Sequence, residues 1–250
     1  PAIAGMPSDN KASWLNYANQ LLKGRKFDQV WIWVTHNKYT PEFFQWLKSV
    51  ALVRVGIVME SMEHTEQEKC EMAHVGTRKE KVLKELRHLT HVVSYDDADP
   101  ETFEKVLGLP SLWCPIFVPW RSVCESADLP SPGPGVFYGS TYNAERLAYL
   151  SYEQLKDHLI HPELPEIQTP WPKRFDQLQA NCLHYLNTNH EPTTSDFDNY
   201  VILLRSFRHE LFNLWLEGLR KGYATINLPS ICKFYPGRVV ESMAAGRPVI

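Results

Sequence analysis

The last sixteen residues, "YPGRVVESMAAGRPVI" (235–250), place Arg238 three residues before Glu241 among small apolar residues. At that spacing the two residue types do complementary chemistry on a nucleotide. A guanidinium forks onto phosphate oxygens. A carboxylate accepts hydrogen bonds from two adjacent hydroxyls, as on a ribose. The preceding "YATINLPS" (223–230) reads as a strand ending near Asn227, followed by a loop to Gly237 and a short helix from Arg238. Free N–H groups and the positive dipole end at such a helix start favour a diphosphate. In open parallel sheets, ligands bind where strands end and helices begin. Gly246 would stop the helix and "RPVI" would start the next strand. A plainer reading stands beside this one. Arg238 and Glu241 would be a surface ion pair at i, i+3, and Met243, Ala244 and Ala245 would only pack helix on sheet. Composition leaves both open.

A second set of candidates lies in the first half. Three strand-like runs end in polar residues: Thr35-His36-Asn37, Glu60-Ser61 and Tyr95-Asp96-Asp97. In a parallel sheet all three ends share one edge. Transfer to a hydroxyl with inversion needs a base for its proton, and His36 and Glu60 are the candidates. The alternative is that these residues cap the following helices, a role that suits Asp96, Asp97 and Asp99. Arg146 would reach a phosphate or sit as a solvated helix arginine beside Glu145 or Tyr142. Tyr138 and Tyr142 would stack on a base or simply pack. Cys70 and His74 share a helix face without further ligands, and no metal site is expected. "RHELFN" has Asn213 where a zincin helix needs its second histidine, and no P-loop, GxGxxG or Gly-x-Ser-x-Gly occurs.

The elements that would position these groups alternate in type. "SWLNYANQLLKGR" is helical and stops at Gly24; "FDQVWIWVTH" is a buried strand. "TPEFFQWLKSV" is a helix with Thr40 as cap and Pro41 at its first position. "LVRVGIVMES" and "THVVSYDD" are strands around a charged helical run. "DPETFEKVLG" is a helix with Asp99 as cap and Gly108 as stop. This rhythm predicts parallel α/β architecture. "ESADLPSPGPG" (125–135) is dense in Pro, Gly and Ser and reads as a linker. It separates a domain at 1–125 from one at 136–250, with the linker at 126–135. The second half restarts with the strand "GVFYGS" and the helix "NAERLAYLSYEQLKDHL". "TSDFDNYVILLRSFRHELFNLWLEGLRKG" is a long helical region of one or two pieces, capped by Ser195 or Asp196 and stopped at Gly222. A helical insertion is placed at about 151–222.

The formal net charge of −3 gives no electrostatic footprint for nucleic acid. The apolar run "VALVRVGIVM" is short and contains Arg54, so no integral membrane segment is expected. Five cysteines at irregular spacing argue against a disulfide framework and for a reducing, cytoplasmic compartment.

"GRVVESMAAGRPVI" resembles the donor-site signature of GT-B glycosyltransferases of the "glycosyl transferases group 1" type, with its Glu-x-x-x-x-Gly-x-Pro-Val-Ile pattern. "YATINLPS", "GVFYGSTYNAERLAYL" and "VVSYDDADPETFEKVLGLPSLWCPIFVPW" are similar to the CgeB-like branch of that group. The resemblance implies two Rossmann-like domains with parallel sheets facing a central cleft, truncated at both ends in this chain. The first domain would take a saccharide, lipid-linked or protein hydroxyl acceptor. The second would take a nucleoside-diphosphate sugar as donor substrate, with no cofactor and no metal. Carried over by position, Glu241 would bind the donor ribose, and Arg238 and Gly237 the diphosphate. Gly139 and Ser140 would approach the donor, with Asn227 at the end of the strand leading to it. Many relatives carry a second, earlier glutamate; Lys233 stands there in this sequence, so a mechanism using that glutamate does not carry over. The alternative is a non-catalytic nucleotide- or sugar-binding regulatory subunit.

Overall fold

A computed structural model describes residues 19, 22, 24–34, 39–71, 73–123, 132–139, 144–161, 194–228 and 237–250. The chain divides into two compact units, a first of Gly24–Phe117 with Ser230–Gly237 and a second of Pro1–Lys23, Val118–Pro229 and Arg238–Ile250. Of the expected linker at 126–135, residues 126–131 lie outside the described residues.

In the first unit four strands form a parallel sheet: β1 (Phe27–Trp33), β2 (Ala51–Val58), β3 (His91–Ser94) and β4 (Ser111–Trp113), in that order across the sheet. Between β1 and β2 runs α1 (Pro41–Val50), whose start Thr40 caps as the sequence predicts: its hydroxyl accepts the Phe43 N–H at 3.3 Å. The charged run after β2 is broken into three short helices, α2 (Glu66–Glu71), α3 (Ala73–Gly76) and α4 (Arg78–Leu86). After β3 comes α5 (Asp99–Leu107), ended by Gly108 in the left-handed conformation at φ 63°. Strands taken in sequential order with right-handed crossovers put their helices on one face. The core agrees: Phe44 and Leu47 of α1, Val82 and Leu86 of α4 and Phe103 of α5 pack with Val58 and Val92. On the other face Trp31 and Trp33 of β1 remain about half exposed.

In the second unit β5 (Gly135–Val136) pairs in parallel with β6 (Leu159–Ile160). Thr225 bridges Val136 on one side and Val249 on the other, both in parallel. The predicted strands at 223–230 and 247–250 are thus single bridges flanked by ladder bonds, among them Ile226 N–H to Val136 O at 2.8 Å and Asn227 N–H to Ile250 O at 2.7 Å. Among the described residues three helices accompany this ladder: α6 (Ala144–Leu150), α7 (Thr194–Arg220) and α8 (Gly237–Ala244). Two expectations are corrected. The helix expected through residue 159 ends at Leu150, and after a 3-10 turn at Glu153–Leu155 the chain enters β6, so the start of the supposed helical insertion belongs to the sheet. The long helical region is one continuous helix that opens at Thr194, ahead of the expected caps Ser195 and Asp196. Among the described residues no helix is long and apolar enough to cross a membrane.

Candidate functional site

Packing of α8 against α7 builds the C-terminal site. Leu216 and Leu219 of α7 bury against Ala245, just beyond α8. The small Ala244 and Ala245 allow that approach, and Gly246 at φ 70° then turns the chain out of the helix. Ser242 is fully buried, and its hydroxyl donates to the Arg238 carbonyl one turn back at 2.6 Å, so burial strands no donor.

This packing aims Glu241 at the long helix. The Trp215 indole N–H donates to Glu241 Oε2 at 2.8 Å. Trp215 is itself held edge-on by the Tyr138 ring, centroids 5.2 Å apart at 87°. Gly218 makes room for that ring: a Cβ there would lie 2.7 Å from Tyr138 Cζ. Burial pushes the Glu241 carboxyl above its ordinary value, and the Trp215 bond and the Arg238 charge offset this only in part.

Arg238 turns toward Phe137, at the end of β5. Its guanidinium carbon lies 5.0 Å from the centroid of this fully buried ring. Gly139 closes on the same group: a Cβ there would stand 2.5 Å from Arg238 Nη2. Any side chain at 139 would therefore displace the guanidinium. The simple surface pair at i, i+3 is thus not what the helix presents, because Arg238 packs on a buried ring and Glu241 is half-buried under Trp215.

Arg146, read from sequence as a helix arginine in solvent or on phosphate, is only 3% exposed. Its guanidinium carbon lies 5.8 Å from the Phe137 centroid. His161 packs on the same ring, and its Nδ1 lies 3.1 Å from the Phe137 carbonyl, a bond that requires the proton on Nδ1. Asn227 ends its strand with Oδ1 buried and without a hydrogen-bond partner among the described residues. Gly237 opens α8. Ser140, Tyr142 and Lys233 lie outside the described residues.

In the first unit the parallel sheet does bring the ends of β1, β2 and β3 to one edge. Glu60 stands there with its Oε2 3.2 Å from Nη1 of the buried Arg78. The same guanidinium donates to the Ser61 and Glu60 carbonyls. Arg78 thus locks the loop after β2. His36 lies outside the described residues. The capping role expected of Asp99 is corrected. Asp99 is fully buried at the first position of α5, where Oδ1 accepts the Met62 N–H and Oδ2 the Ser94 hydroxyl, both at 3.0 Å. It ties the loop after β2 to the loop after β3. Asp96 Oδ1 accepts the Ala98 N–H at 2.9 Å, a local turn bond.

Sequence reasoning missed Phe137 and His161 as supports of Arg238, and Trp215 as the partner of Glu241. Trp215 lies 26 residues from Glu241, on an apolar stripe indistinguishable from core packing. Only the Gly218 gap, three residues on, hinted at a crowded neighbour. Among the described residues no group of three or more His, Cys, Asp or Glu side chains is arranged to hold a metal ion. No protein-family model matches the chain, and no curated protein matches it significantly.

Proposed function

We propose that the protein is a GT-B-type glycosyltransferase of the CgeB-like branch that moves a sugar from a nucleoside-diphosphate donor to a hydroxyl acceptor. The two units would be its two Rossmann-like domains, with the donor in the second. One observation carries the reading: a short helix beside a parallel ladder offers Arg238 from its first turn and Glu241 one turn on. Both are held in place, Arg238 by Phe137 and Gly139 and Glu241 by Trp215. Arg238 and the N–H groups opening α8 would take the diphosphate and stabilise the charge that develops on it as the glycosidic bond breaks. Each carboxylate oxygen has two lone pairs, so the bond from Trp215 leaves Glu241 able to accept ribose hydroxyls. An acceptor hydroxyl would attack the anomeric carbon and lose its proton to a base as the nucleoside diphosphate departs. The same site at arginine and helix dipole would work without a metal.

The test is thermal unfolding with a panel of nucleoside diphosphates. Ligand at a hundredfold over its Kd adds about 2.7 kcal/mol, which raises Tm by several degrees in a chain of this size. One member of the panel should do so, and Arg238→Ala and Glu241→Ala should each abolish the rise. No stabilisation by any nucleotide would sink the donor site. One observation favours a non-catalytic binding role instead: Glu60 is committed to Arg78. That role would be recognised by nucleotide-sugar binding without hydrolysis or transfer.

A further inference from the structure

We infer that Trp215 is a positioning residue for the Glu241 carboxylate, fixing it so that the site selects ribonucleotides over 2′-deoxyribonucleotides. The inference rests on the donor-site reading proposed above and adds to it the residue that sets sugar discrimination. A glutamate on a helix has several rotatable bonds, and pairing two adjacent hydroxyls requires its carboxylate plane to be set beforehand. The indole N–H does this from one side: it donates to Oε2 at 2.8 Å, which fixes one oxygen and leaves the group to be approached elsewhere.

Trp215 can act so because it is itself immobile. Tyr138 packs edge-on against its ring, and Gly218 on the same helix face leaves the space that the Tyr138 ring fills. Leu216 and Leu219 anchor α7 on Ala245 beside them. The support thus runs from a rigid helix through an aromatic pair to one carboxylate oxygen, while Arg238 on the same helix supplies the neighbouring charge. A buried indole N–H usually takes a hydrogen-bond partner; here that partner is the carboxylate of α8, so the bond that satisfies the ring also sets the Glu241 oxygen.

The probes are ADP, GDP, UDP and CDP with their 2′-deoxy counterparts, measured by calorimetric titration on the full chain. Wild-type protein should bind its preferred ribonucleotide more tightly than the 2′-deoxy form. Trp215→Phe keeps the ring and removes the N–H; it should weaken the ribonucleotide by about tenfold, the scale of one hydrogen bond to a charged group, and leave the 2′-deoxy form nearly unchanged. Trp215→His retains a ring N–H and should restore part of the discrimination. Equal weakening of both sugars, or none, in Trp215→Phe overturns the inference while leaving the donor site standing. Binding of no nucleotide by wild-type protein overturns both. Should Trp215→Phe fail to fold, the assigned indole N–H resonance of Trp215 in wild-type protein decides: it should move with the ribonucleotide more than with the 2′-deoxy form. An unmoved resonance, or an equal movement with both, overturns the assignment.

Discussion

Replacing Asp99 by asparagine should remove the pH dependence that this residue imposes on stability. Asp99 is fully buried, and burial pushes its carboxyl up to about 6 from an ordinary 3.8. The bonds from Met62 and Ser94 and the Arg78 charge pull the other way without overcoming burial, and Asp96 adds to the rise. The folded state therefore holds a proton more tightly than the unfolded chain between those two values. Stability from this group is present in full below about pH 4 and is lost as pH rises through about 6. The two values stand about two pH units apart at about 1.4 kcal/mol each, so the loss is about 2–3 kcal/mol. Asparagine keeps the oxygen that accepts the Met62 N–H and cannot ionise. Its own effect on the Ser94 bond is a constant offset. Urea unfolding of both proteins between pH 4 and 7.5 is the assay. The difference in unfolding free energy should move in favour of Asp99→Asn by about 2–3 kcal/mol over that range. Taking the difference cancels the exposed acids Glu42, Glu63 and Glu101, whose carboxyls are held low and whose contributions are lost toward acid pH. A difference that stays flat with pH, or moves toward wild type, would refute the burial argument.

Two packing predictions follow from the second unit. Gly139→Ala puts a Cβ 2.5 Å from Arg238 Nη2 and 2.7 Å from Phe137 Cζ. It should lower stability by about 1–3 kcal/mol and remove nucleotide-dependent stabilisation; retention of full nucleotide binding would show that Arg238 need not sit on Phe137. Gly218→Ala gains about 1 kcal/mol of helix propensity but drives a Cβ to 2.7 Å from Tyr138 Cζ. Overpacking should win, with a net loss of about 1 kcal/mol and a changed Trp215 fluorescence; an unchanged or raised midpoint in urea contradicts it.

Local patterns made the first unit legible. Thr40-Pro41-Glu42 announces a capped helix start because those residues satisfy the first-turn N–H groups by themselves, and the cap bond to Phe43 is there. The β-branched runs become β2 and β3 because both lie inside a sheet. Gly108 ends its helix where only a glycine adopts the left-handed turn without strain. Local patterns misread Asp99, because capping preference reflects an exposed helix start. Here the start is covered by the loop after β2, and the carboxylate turns inward to that loop. They also overextended the helix after Leu150, since apolar spacing carries on through residues that the β5 edge recruits as β6.

By itself the amino-acid sequence determined the alternation of parallel strands and helices, the Thr40 cap, the Gly108 and Gly246 stops, and the short helix bearing Arg238 and Glu241. All of these depend on interactions within a few residues, which residue type and spacing encode directly. Only the tertiary structure decided what those two side chains meet. Arg238 finds the Phe137 ring and the bare backbone of Gly139, and Glu241 finds the Trp215 indole. Arg146 and Glu60 changed meaning in the same way, one by burial beside Phe137 and the other by pairing with Arg78. The physical reason is common to all four. A charged side chain's role is set by the dielectric and the partners around its tip, and distant parts of the chain supply both.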